Sequence, residues 1–183
     1  MRRRRVTRWL PNGDCEIDGR RVANFIANDY LNLASDPRVI AAAEQALRET
    51  GTGARASALL GGRSEWHVRL ERRLADFEGE EAAILFPSGF AANLATLSAL
   101  IDEQDIVFCD RFNHASLVDG CRLSGAKFRV YRHDELDTLA RELSKAGDFP
   151  RRWIVTDGVG NCTAATCIRS PHSTSFWPWL STT

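Results

Sequence analysis

Between Val39 and Leu47 apolar side chains recur at helical spacing, with Val39, Ile40, Ala43 and Leu47 on one face. Asp36 ahead of them is a capping residue, Pro37 suits the first helical position, and Gly51 suits the residue just past the last turn. A second helical period runs from Ser64 to Gly79. Trp66, Leu70, Leu74 and Phe77 form its apolar stripe, and Arg69, Arg72 and Arg73 fall on the water side. The stretch between the two helices, GTGARASALLGGRS, is too rich in glycine for either regular element and reads as a loop of tight turns. Before the first helix, Arg8 to Asn28 reads as short β segments, with turn residues in PNGD and a hairpin signal in IDGRR.

Past Gly79 the period changes. EAAILF (81–86), DIVFCD (105–110), AKFRVYRH (126–133) and RRWIVTDGV (151–159) are short apolar runs of the kind buried strands make. Helical segments separate them: FAANLATLSALI, HASLVDGCRLSG, and ELDTLARELSKAG with Asp134 as its expected cap. Repeated alternation of strand and helix predicts an α/β fold, a mostly parallel sheet with helices on both faces. The order stops after Val159, and Gly160 to Thr183 shows neither period nor caps.

Composition narrows the function classes. The 183 residues carry a formal net charge of zero, so bulk electrostatics offers nucleic acid no purchase. The one basic run, Arg2 to Arg5, is either a solvated terminus or an anion contact. No run approaches the ~18 apolar residues of a membrane span, and no apolar core of a secretion signal follows the basic run, so a cytoplasmic protein is expected. Five cysteines at irregular spacing, none in a C-x-x-C pair, predict reduced structural thiols and no metal.

Ligands of such sheets bind outside the carboxyl ends of the strands. Three stretches fall there. In FPSGF (86–90), Ser88, Gly89 and Phe90 would present free N–H groups at a helix start, which suits a phosphate or is a plain cap. In DRFNHASLVDG (110–120), His114 opens a helix directly after a strand, either to stack on a flat ligand or to act as a polar cap. Asp157 in TDGV is a ligand contact or a turn former. His67 reads as structural, and His133 and His172 belong to no visible constellation.

From about Arg8 to Val159 the chain resembles the α-oxoamine synthases, pyridoxal 5′-phosphate (PLP) enzymes of the aspartate-aminotransferase fold. The resemblance rests on NDYLNL (28–33), GTGARAS (51–57), HVRLERRLADFEG (67–79), LFPSGFAANLATLSAL (85–100), NHASLVDGCRLSGA (113–126) and VTDGV (155–159), in that order. It implies the first half of a PLP-dependent transferase large domain. PSGFAAN is closest to the biotin-pathway branch, which implies decarboxylative condensation of L-alanine with a pimeloyl thioester. The alternatives are the 5-aminolevulinate or glycine C-acetyltransferase type, or a non-catalytic PLP- or phosphate-binding remnant. Carried over by position, Ser88, Gly89 and Phe90 bind the cofactor phosphate, and His114 stacks on its ring and touches substrate. Asn28 and Arg2 face substrate, and the intact family member is a homodimer. Arg55 and Ala56 depart from the small residues relatives carry.

The same resemblance implies an absence. The family holds its cofactor through a lysine in a Gly-rich context, and the two lysines here, Lys127 and Lys145, stand in no such context. The expected organisation is an N-terminal segment (1–50), a partial PLP-binding large domain (51–159) and a non-family, frame-shifted tail (160–183), together an inactive fragment. Read one nucleotide earlier, the tail can restore the Gly-Asp and Pro-rich turn that the family carries after VTDGV.

Overall fold

Three strands, β1 (Thr7–Trp9), β2 (Cys15–Ile17) and β3 (Arg20–Val22), form an antiparallel meander at the start of the computed structural model. The structure describes residues 5–25, 27–159, 163–166 and 180–181; Arg2 and most of the tail after Val159 lie outside them. The expected hairpin is present. Ile17 pairs with Arg20, and the intervening Asp18 and Gly19 take φ of 51° and 75°. Two left-handed residues match the twist of the flanking strands, which explains why Asp-Gly stands there.

Helix α1 (Pro37–Thr50) begins and ends as its sequence requires. The Asp36 carboxylate accepts the Arg38 N–H at 2.8 Å, and the Gly51 N–H closes on the Leu47 carbonyl at 2.9 Å. At the start of α2 (Glu65–Glu78), His67 Nδ1 accepts the Ser64 N–H at 3.1 Å, so this imidazole is a cap. The apolar stripes of both helices are where the periodicity puts them, yet Val39, Leu47, Leu70 and Phe77 are exposed. The chain divides into two compact units, Met1–Leu70 and Glu71–Thr183.

The second unit carries the α/β pattern: α3 (Gly89–Leu100), β4 (Ile106–Asp110), α4 (Ala115–Leu123), β5 (Lys127–Tyr131), α5 (Leu136–Lys145) and β6 (Arg152–Val155). The strands are parallel in the order β5-β4-β6, and every residue of central β4 is buried. Pleating divides its side chains between two cores. Val107 and Cys109 pack with Leu97 of α3, Ile101 just past it, Leu117 and Cys121 of α4, and Val155. Ile106 and Phe108 pack with Leu139 of α5, Ala146, Phe149 and Ile154. The expected sheet with helices on both faces is therefore the observed one. Cys15, Cys109 and Cys121 are free and buried, as structural thiols should be.

Three expectations need correction. Residues 81–86 are not a strand: no described strand pairs with them, Ile84 is exposed, and the Leu85 N–H reaches the Glu71 carboxylate at 3.4 Å. Asp134 does not cap α5, because its carboxylate turns to Arg132 at 3.3 Å and Glu135 occupies the cap position. The fourth expected strand breaks at Thr156 into β6 and β7 (Asp157–Val159), and β7 joins β8 (Thr163–Thr166) and β9 (Leu180–Ser181) in a separate antiparallel sheet.

Two contacts set the geometry of this unit. At Gly120 of α4 an added Cβ would meet Leu97 Cδ1 at 3.0 Å, Leu97 Cβ at 3.1 Å and the Asn93 carbonyl at 3.2 Å, so glycine lets α3 and α4 approach. At the amino ends of the strands, the buried Asp105 carboxylate accepts from Trp153 Nε1 at 2.9 Å, Arg151 Nε at 3.0 Å and the Asp102 N–H at 2.9 Å. Burial alone would raise its pKa, but the donors from Asp102, Trp153 and Arg151 outweigh it and hold the carboxyl below 3.8.

Gly120→Val is expected to destabilise the fold by roughly 2 kcal/mol through overpacking, measured by urea unfolding. Because the folded pKa of Asp105 is depressed, its contribution is present above the unfolded value and lost as pH falls through the folded one. Asp105→Asn should therefore cost about 2 kcal/mol at pH 7. The gap between wild type and variant should narrow in melts carried down to pH 3.

Candidate functional site

The site forms where α3 and α4 begin, beside the carboxyl ends of the strands. Ser88 is extended (φ −162°, ψ 158°) and its hydroxyl accepts the Ala91 N–H at 3.2 Å. That cap leaves the N–H groups of Gly89 and Phe90, the first two of the helix, pointing out of its positive end. Such a pair can receive an anion.

His114 stands at the cap of α4, and its ring meets the edge of Phe90, with centroids 6.4 Å apart and planes at 77°. The phosphate-type turn and the imidazole are thus brought together on one exposed surface. Two networks hold the ring there. On the sheet side Asn113 spans the gap after the strands: its Nδ2 donates to the Val155 carbonyl at 2.8 Å, and its Oδ1 accepts the Asp157 N–H at 2.8 Å. On the helix side Nδ1 of His114 accepts the Ser116 N–H at 3.2 Å and lies 2.7 Å from Ser116 Oγ. Ser116 Oγ in turn accepts from Asn93 Nδ2 of α3 at 2.9 Å.

The donor set suits a phosphorylated flat ring: outward amides for the anion, and an aromatic pair with an imidazole for the ring. Asp157 adds a carboxylate oxygen that is buried and has no hydrogen-bond partner among the described residues. Asn28 lies in the first unit, exposed, lining a groove of about 460 Å³ with Trp9, Leu10, Asn24 and Asn32. Of the lysines, Lys127 opens β5 at the amino end of the sheet, over the Phe149 ring, and Lys145 ends α5 in an ion pair with Glu142 at 2.9 Å. Neither stands at the carboxyl ends of the strands.

One constellation escaped the sequence reading. His133, two residues past β5, bonds through Nδ1 to Asp110 Oδ2, the same oxygen that accepts from Thr156 Oγ1 at 3.1 Å. Asp110 is buried at the end of β4 and also accepts the Phe112 N–H at 3.0 Å. Asp110, His133 and Thr156 all lie at or just past strand ends, a common address that could have been read from the pattern. Asn93, Asn113 and Ser116 gave no such signal.

The sequence model of the aminotransferase class I and II family matches residues 20–170. Among curated proteins, the 8-amino-7-oxononanoate synthase of Alkalilimnicola ehrlichii is 51% identical over 150 residues, 81% of this chain and 38% of that protein. The 8-amino-7-oxononanoate synthase 2 of Bacillus subtilis is 46% identical over 149 residues, again 81% of this chain and 38% of the relative. The chain thus spans about 40% of the length of the curated relatives it matches. Among solved structures, the Sphingomonas wittichii serine palmitoyltransferase superposes with a TM-score of 0.80 at 32% identity, over 88% of this chain and 41% of that one. The 8-amino-7-oxononanoate synthase of Francisella tularensis superposes with a TM-score of 0.60 at 33% identity, over 78% of this chain and 38% of that one.

Asp110 raises the pKa of His133 above 6.5, first by the hydrogen bond and then by its charge. A raised folded value means that the contact contributes below the unfolded pKa and is lost as pH rises through the folded one. An NMR titration should find His133 titrating above 6.5, and Asp110→Asn should return it towards that value.

Proposed function

The chain belongs to the aminotransferase class I and II family, and from that membership we propose that its α3–α4 site seats pyridoxal 5′-phosphate. The Gly89 and Phe90 amides would hold the phosphate, with Ser88 fixing the turn that aims them. His114, set against Phe90, would lie on the ring and meet the substrate. When bound, the cofactor supplies an electron sink for charge developing at the carbon next to an amino group. The observation that carries the reading is the meeting of the Phe90 and His114 rings beside the two outward amides.

For the whole protein we propose an 8-amino-7-oxononanoate synthase-like activity, joining L-alanine to a pimeloyl thioester with loss of carbon dioxide. Two comparisons pull differently. The better backbone superposition is with a serine palmitoyltransferase, at a TM-score of 0.80, whereas sequence identity reaches 51% with an 8-amino-7-oxononanoate synthase. Acyl choice rests on side chains, so identity is the weightier guide. A homodimer in the cytoplasm completes the reading, with Asn28 and Arg2 contributing to substrate binding. With only Lys127 and Lys145 available, this chain by itself would hold the cofactor non-covalently and turn nothing over.

Gly89 is the first residue of α3, where proline is tolerated, and the extended Ser88 before it accommodates one. Gly89→Pro should therefore delete one anion-facing N–H and leave the helix intact. Titration with pyridoxine 5′-phosphate, which lacks the aldehyde that would label lysines, should show about a tenfold loss of affinity, the worth of one charge-assisted hydrogen bond. Unchanged affinity would remove the phosphate seat from α3.

A further inference from the structure

Asn93 lies one turn inside α3, the helix that presents the Gly89 and Phe90 amides, and is 7% exposed; Ser116, in the first turn of α4, is fully buried. The hydrogen bond between them joins residues 23 apart in sequence. A buried side-chain pair costs stability unless its donors and acceptors are matched, so a pair placed here must specify something. What it specifies can be followed atom by atom. Asn93 Nδ2 carries hydrogens only, so Ser116 Oγ receives one of them. The hydroxyl's own proton is then free to point at His114 Nδ1, 2.7 Å away, where the Ser116 N–H also points. Both donors converge on Nδ1, which must therefore be the bare nitrogen, and the ring proton is placed on Nε2.

We infer that Asn93 and Ser116 are positioning residues that fix the rotation and the tautomer of His114, coupling the ring to the helix that holds the anion. The inference rests on the function proposed above. Both are buried and neither is among the groups assigned to the ligand. Their effect is to make the α3 amides and the imidazole one rigid unit, with the ring presenting an Nε2–H donor to an acceptor on a flat phosphorylated ligand. The Asn113 bridge fixes the backbone before His114, and the Asn93–Ser116 pair fixes the ring after it.

The test combines tautomer and affinity. In ¹⁵N-histidine NMR of the 183-residue chain, His114 should show a pyridine-like Nδ1 and a pyrrole-like Nε2, and Ser116→Ala should shift both towards averaged values. Pyridoxine 5′-phosphate affinity should fall three- to tenfold in Ser116→Ala and in Asn93→Ala, but Ser116→Ala should add nothing in a His114→Ala background. Ser116→Ala leads because it leaves the smaller cavity, with Asn93→Ala as the second variant. An unchanged tautomer, or an equal loss from Ser116→Ala with and without the imidazole, overturns the inference. Indifference of affinity to His114→Ala would overturn the proposed cofactor seat instead, and the NMR arm would still decide the relay.

Discussion

Close approach of α3 and α4 is the constraint on which the site depends. A glycine at 120 admits the Leu97 side chain and the Asn93 carbonyl, and the Asn93–Ser116 hydrogen bond locks the distance that results. The start of each helix contributes one half of the site, amides from α3 and an imidazole from α4. The sheet supplies the floor: β4, buried throughout, fixes where α4 must begin, and Asn113 ties that point to the end of β6.

Electrostatics at the two ends of the sheet differ in purpose. At the amino ends Asp105 is saturated by Asp102, Trp153 and Arg151, and serves as a fastening between β4 and β6. At the carboxyl ends Asp110 is shared between Thr156 and the largely exposed His133, and Asp157 keeps an oxygen without a partner among the described residues. Ligands of open α/β sheets bind outside the carboxyl ends of the strands, the end at which Asp110 and Asp157 lie.

Local chemistry was legible in the sequence wherever a few consecutive residues decide the structure. The Asp36-Pro37 start and Gly51 stop of α1, the Asp18-Gly19 turn, the apolar run Ile106 to Cys109 of β4 and the helix starts at Ser88 and His114 each follow from neighbours. The grouping of Ser88, Gly89, Phe90 and His114 into one site came from the resemblance to a family, since periodicity cannot say which loops meet. Illegible features were those decided at long range. Residues 81–86 have strand composition, but a strand exists only when another pairs with it. Asp134 had two options, and nearby Arg132 won over the helix start. Asn93 and Ser116, or Asn113 and Asp157 44 residues apart, show nothing in sequence that forecasts their contact.

We propose that the outward amides of α3 and the imidazole of His114 form one seat for a phosphorylated pyridine. Amide and imidazole NMR spectra recorded while pyridoxine 5′-phosphate is added address it most directly. With such a seat the Gly89 and Phe90 amides and His114 Nε2 should move together, with one shared saturation curve. It would be contradicted if those signals stayed still while the ligand bound elsewhere, or if the amides and the imidazole saturated at different concentrations.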